Sequence, residues 1–110
     1  MTRRHISAAL FLALALAARG VHADCVLPPP PSKVPDGTSA SEQEMMSAMQ
    51  TLKQYDGDVN VYLKCLEFEQ RQNRMGVDER ESKHNAAVAQ LERVASRFNE
   101  QVRAFKAKHG

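Results

Sequence analysis

The sequence predicts an all-α fold: an antiparallel two-helix hairpin, coiled-coil-like, with a Pro-rich N-terminal segment folded back and disulfide-linked to helix 1. Three observations predict it. Apolar residues step by three and four through residues 42–75 and again through 79–108, the repeat of an amphipathic helix. A short Met75-Gly76-Val77 break separates the two runs. The chain has two cysteines, Cys25 in the Pro-rich leader and Cys65 inside the first run.

Residues 1–23 read as a signal peptide. Arg3 and Arg4 form a positive n-region, residues 6–18 an apolar h-region, and Val21-His22-Ala23 a small-residue cleavage site. That h-region is shorter than the ~20 residues that span a bilayer. Cys25 lies just past it, where a lipid anchor would attach. A diacylated cysteine ordinarily follows Gly or Ala, and Asp24 stands there instead, so a free product without a stable membrane anchor is expected.

Cleavage after Ala23 changes the charge. The whole chain carries 15 Lys and Arg against 13 Asp and Glu; Arg3, Arg4 and Arg19 leave with the signal, giving 12 against 13. A near-neutral, well-mixed surface has no electrostatic footprint for nucleic acid and no polybasic membrane patch. Both cysteines survive cleavage. An even count in a short exported chain reads as a disulfide: Cys25–Cys65 within one chain, or a bridge between two chains as its rival. Closing a loop of about 40 residues contributes roughly 3–4 kcal/mol on the chain-entropy model.

Residues 24–40 form the Pro-rich extended segment and 41–110 the helical hairpin. Ser41 and Glu44 make a capping box that starts helix 1, expected over about 42–75. Met45, Ala48, Met49, Leu52, Tyr55, Val59, Tyr62, Leu63 and Leu66 form its apolar stripe. Gly57 is a tolerated flaw costing about 1 kcal/mol. Gly76 is the natural left-handed residue for a Schellman stop, and Asp78 with Glu81 repeats the capping box for helix 2, about 79–108. Its seam runs His84, Val88, Leu91, Ala95, Phe98, Val102, Phe105 and His109, with Val94 widening it.

A short turn forces the helices antiparallel. Centred near Gly76–Val77, it makes facing positions sum to about 153. Tyr55 then faces Phe98, Leu63 faces Leu91, Leu66 faces Val88, and Met49 sits near Phe105. Cys65 lies about 36 Å beyond Ser41 along helix 1. The leader must therefore run back along that helix, and its 16 residues reach roughly 50 Å as polyproline II. Pro35-Asp36-Gly37 supplies the reversal, and Tyr55 and Tyr62 face the flat sides of Pro28 to Pro31.

The combination "CVLPPPPSKVPDGTSASEQEM", "VYLKCL" and "HNAAV…FNEQVRAFKAK" resembles a group of small, uncharacterised exported helical proteins of Gram-negative bacteria with a Cys/Pro-rich N-terminus. The resemblance covers most of the chain after the signal. It implies a compartment and a pattern, and brings no catalytic residues.

Met45, Met46 and Met49 lie within one turn, and the antiparallel register brings His109 close to it. Three thioethers and an imidazole suit Cu(I) or Ag(I). The favoured reading of Met45 and Met49 is as ordinary core fillers at the open end of the hairpin, with the metal site the minor alternative. No glycine-rich phosphate loop, CxxC or HExxH occurs, and a two-helix hairpin offers no deep pocket in which to tune a pKa. The expectation is a non-enzyme without cofactor. Met46, Val61 and Phe68 exceed what one helix–helix stripe buries, so they are the candidate interaction residues. The function expected is an exported structural or interaction protein, periplasmic or secreted, acting as a homodimer or on another envelope protein. The alternatives are a periplasmic chaperone or stress factor holding unfolded clients, and a Cu(I)/Ag(I) carrier.

Overall fold

The computed structural model describes residues 24–110; the signal-peptide reading of residues 1–23 lies outside the described residues. Two helices pack against each other, α1 at Glu42–Arg71 and α2 at Val77–His109. No strand occurs among the described residues. The Pro-rich segment runs extended along them as a strap, and the Cys25–Cys65 disulfide joins its start to α1 with the Cα atoms 5.7 Å apart.

The start of α1 follows the capping logic. Glu44 N donates to Ser41 Oγ at 3.1 Å, and Ser41 N donates to Glu44 Oε2 at 3.2 Å. Two of the first-turn donors that lack helical partners are thereby satisfied. Gly57 neither breaks nor ends α1, and a Cβ there would meet nothing within 4 Å.

The end of α1 corrects the expected boundary. The helix stops at Arg71 rather than near 75, and the left-handed residue is Asn73, with φ 58°, rather than Gly76. Arg74 N donates to Glu69 O at 2.9 Å and Asn73 N to Gln70 O at 3.0 Å, the paired bonds of a Schellman turn. Asn tolerates this backbone region better than most side chains. What favours the earlier stop is Arg74. Its guanidinium binds both carboxylate oxygens of Glu69, at 2.7 and 2.9 Å, and lies over the Phe68 ring at 5.4 Å. Arg74 thus takes the place of the hydrophobic contact that usually accompanies such a turn. Gly76, with φ −73° and ψ 159°, instead precedes α2 as its N-cap. The expected Asp78 cap is not formed: Asp78 lies inside the first turn, and no side chain caps this end.

The earlier stop moves the register. Arg71 and Val77 now bracket the turn, so facing positions sum to about 148 instead of 153. Tyr55 consequently packs with Val94 in a cluster that also holds Val59, Tyr62, Leu66 and Ala87. Phe98 moves to a second cluster with Ala40 and Met45. The expected Tyr55–Phe98 pairing is replaced, while Leu66 and Leu91 stay in the contact.

The seam of α2 is also rotated. Ala87 and Val94 are sealed, at 0% and 2% exposure, whereas the expected seam residues Val88 and Ala95 are only partly buried. The strap is the cause. Val94 and Phe98 share a crevice with Pro31 and Val34, so the strap covers one side of the hairpin and draws the centre of burial toward itself. The strap runs antiparallel to α1 as the sequence predicts. Pro28 lines one groove with Asp58 and Tyr62, and Pro31 another with Thr51 and Tyr55.

The Asp36-Gly37-Thr38 turn closes the open end of the hairpin. Asp36 Oδ1 accepts from Thr38 N at 2.9 Å and from Thr38 Oγ1 at 2.7 Å. These bonds, with the Lys108 charge behind them, hold the Asp36 carboxyl below its ordinary pKa. Gly37 N donates to Gln101 Oε1 at 2.8 Å, and the Lys108 ammonium donates to the Thr38 carbonyl. Gly37 is buried against the α2 backbone. A Cβ there would sit 2.0 Å from Gln101 O and 2.9 Å from Phe105 N. Glycine is needed here for close approach of two backbones, not for an unusual φ.

Gly37→Ala should therefore lower the unfolding free energy by about 1–3 kcal/mol through overpacking, read from urea denaturation. Gly57→Ala should raise it by about 1 kcal/mol, because space is open around that position.

Candidate interaction surface

The strap and α1 together position the first surface. Cys25 and Cys65 bring Val26 and Pro28 beside Val61 and Tyr62, and these residues line one shallow groove. Val61 and Phe68, seven residues apart, lie on one face of α1. Val26, Val61 and Phe68 are exposed, at 78%, 68% and 48%. Phe68 carries the Arg74 guanidinium on its ring. Met46, also exposed, lies about 22 Å from Val61 along the same helix. Two of the three expected interaction residues thus share a neighbourhood beside the disulfide, and Met46 stands apart.

The second surface is on the other side of the hairpin. Leu52, Leu91 and Ala95 line a groove between the helices, with Lys53, Asp56 and Glu92 at its rim. No strap residue borders it. These apolar residues are half-buried, and Met49 beside them is 44% exposed. The periodicity contained the signal for this surface. The Val88–Leu91–Ala95 seam holds more apolar positions than one α1 stripe covers, and the strap rotates the excess outward.

The methionine turn is divided. Met45 is buried beside Phe98, whereas Met46 and Met49 are exposed. His109 stacks on Phe105 with the ring centroids 4.1 Å apart, and its Nδ1 lies 2.9 Å from the Phe105 carbonyl oxygen. In the register found, His109 faces position 39, ahead of α1, so the expected approach to the methionine turn is not made. Among the described residues, no group of three or more His, Cys, Asp or Glu is placed to hold a metal ion. No described helix is long and apolar enough to cross a membrane.

One polar group stands out. The Tyr55 hydroxyl is buried without a hydrogen-bond partner, in a side chain that is 3% exposed. Burial raises its pKa above the ordinary value near 10.0, against a smaller opposing pull from the Arg93 charge. At the tip, the Lys83 pKa is raised by its bond to Glu79, and more weakly by Tyr62 and Asp24. No protein-family model matches the chain, and no curated protein or solved structure matches it at a significant level.

The raised Tyr55 pKa gives a definite sign. Its stabilising contribution is fully present below the unfolded pKa near 10 and is lost as pH rises through the higher folded value. Tyr55→Phe should leave stability at pH 7 unchanged or raise it by up to about 1 kcal/mol, since an unpaired buried hydroxyl is removed. The variant should also be less sensitive to alkali than the parent in thermal melts between pH 8 and 11.

Proposed function

We propose that this chain is an exported, non-enzymatic interaction module of the cell envelope, periplasmic or secreted, acting through self-association or by binding another envelope protein. The observation that carries the reading is the placement of apolar side chains on a braced scaffold. Val26, Val61 and Phe68 lie exposed around the disulfide, and Leu52, Leu91 and Ala95 line an open groove on the opposite side. Leu27, Met46, Met49 and Val77 are exposed as well, on a surface otherwise charged and mixed in sign. The grooves are shallow, whereas enzyme and small-molecule sites are concave enough to enclose most of a ligand.

Compartment and mechanism support each other in this reading. A strap held by a disulfide suits an oxidising environment. A stiffened scaffold also loses less conformational entropy on binding than a bare hairpin, so exposed apolar groups contribute more of their burial energy to association.

The test is site-specific photo-crosslinking in cells of a Gram-negative host, with the reactive group at Val61, Phe68 or Leu91 and a control at Arg97. The reading predicts a cleaved, oxidised product in the envelope fraction and discrete adducts at one or more of the apolar positions, absent at Arg97. A reduced product retained in the cytoplasm, or equal diffuse labelling at all four positions, would overturn it.

A further inference from the structure

We infer that the open groove on the face away from the strap is the contact between two copies of this chain, paired two-fold with the tip of each hairpin against the open end of the other. This rests on the interaction-module reading above and names the partner. Three properties of the face point to a second copy.

The first is its position. At the observed register, Leu52 and Asp56 on α1 stand level with positions 96 and 92 on α2, and the groove they share with Leu91 and Ala95 sits at mid-length of α2. A two-fold axis crossing the hairpin there sets α2 against its own copy about position 93. Leu91 then meets the copy's Ala95, and Ala95 meets the copy's Leu91. A large side chain opposes a small one twice, which is the self-complementarity an isologous contact requires.

The second is charge. At about 100° per residue, the side chains bordering this face can be read along each helix. Toward the tip Glu67, Glu81 and Glu92 stand against Lys64 and Arg71; toward the open end, Lys53, Arg103 and Lys106 stand against Glu42. Pairing tip to tip would bring the two net-acidic ends together, and the two net-basic ends likewise. Pairing tip to open end sets Glu81 level with the copy's Lys106, and Lys53 beside the copy's Asp56. Like charges are separated, and opposite charges meet twice by symmetry.

The third is area. Helices of 30 and 33 residues lying side by side present a face about 45 Å by 20 Å, close to the ~800 Å² per partner of a stable interface. Met49, Leu52, Val88, Leu91, Ala95 and Val102 supply its apolar centre, and none of them is fully buried in one chain. The product is a four-helix arrangement with the two straps on its outer sides.

The experiment is sedimentation velocity on the oxidised chain after signal removal, from about 1 to 200 µM, followed by zero-length carbodiimide cross-linking and peptide mapping. Glu81 and Lys106 lie about 37 Å apart on one helix, so an amide between them can form only between chains. A concentration-dependent dimer with the Glu81–Lys106 link is expected. Lys53→Glu and Lys106→Glu, both at exposed positions, should each weaken dimerisation about tenfold while leaving the helical circular dichroism unchanged. A monomer throughout the range would overturn the dimer and leave the module reading to a different partner. A dimer lacking the Glu81–Lys106 link and indifferent to both variants would overturn this face. Absence of photo-adducts at Leu91, Val61 and Phe68 in cells would overturn the module reading itself.

Discussion

The structure depends on one constraint: the strap is fastened to the hairpin at both ends. At the start, the Cys25–Cys65 bond fixes it to the last two turns of α1, near the hairpin tip. At the finish, Gly37 is pressed against the backbone of α2 at Gln101 and Phe105, with Gln101 Oε1 receiving its N–H. Between these points the proline run has little conformational freedom to lose, because each ring has already set its φ. Two helices alone bury one stripe each. The strap adds a third layer that seals Val59, Leu66, Ala87 and Val94 to 2% exposure or less.

From that constraint the asymmetry of the molecule follows. The covered side draws the centre of burial of α2 from the Val88–Ala95 row toward the Ala87–Val94 row. The uncovered side is left with half-exposed leucines in a groove edged by charge. The same covering traps the Tyr55 hydroxyl without a partner, a local cost of placing an apolar layer over a ring whose polar tip has nowhere to go. A chain this small, with so thin a core, is stabilised substantially by its staple.

The parts of this fold that depend on local chemistry were legible in the sequence. The Ser41–Glu44 capping box, the apolar stripe from Met45 to Leu66 and the Cys25–Cys65 pairing each follow from a few residue types at fixed spacing. The helix stop was not, because two residues compete for the left-handed position. Gly76 has the better intrinsic preference, yet Asn73 wins through Arg74, whose contacts with Glu69 and Phe68 depend on three-dimensional placement. The register error followed from that one choice. The tight contact of Gly37 on α2 was hidden for a related reason: Pro-Asp-Gly announces a turn but not what the turn rests on. Of the surface, Val61 and Phe68 were readable as excess apolar positions. The Leu52–Leu91–Ala95 groove is visible only with the strap in place, since periodicity alone puts the same residues in the helix–helix seam.

The most direct test of the braced three-layer account is equilibrium urea unfolding of the oxidised chain beside its Cys25→Ser/Cys65→Ser counterpart. The account predicts that losing the bond lowers stability by about 3–4 kcal/mol, as expected for a loop of this length, while both helices persist by circular dichroism. A difference below about 1 kcal/mol would contradict it, and would mean that the hairpin stands without its strap.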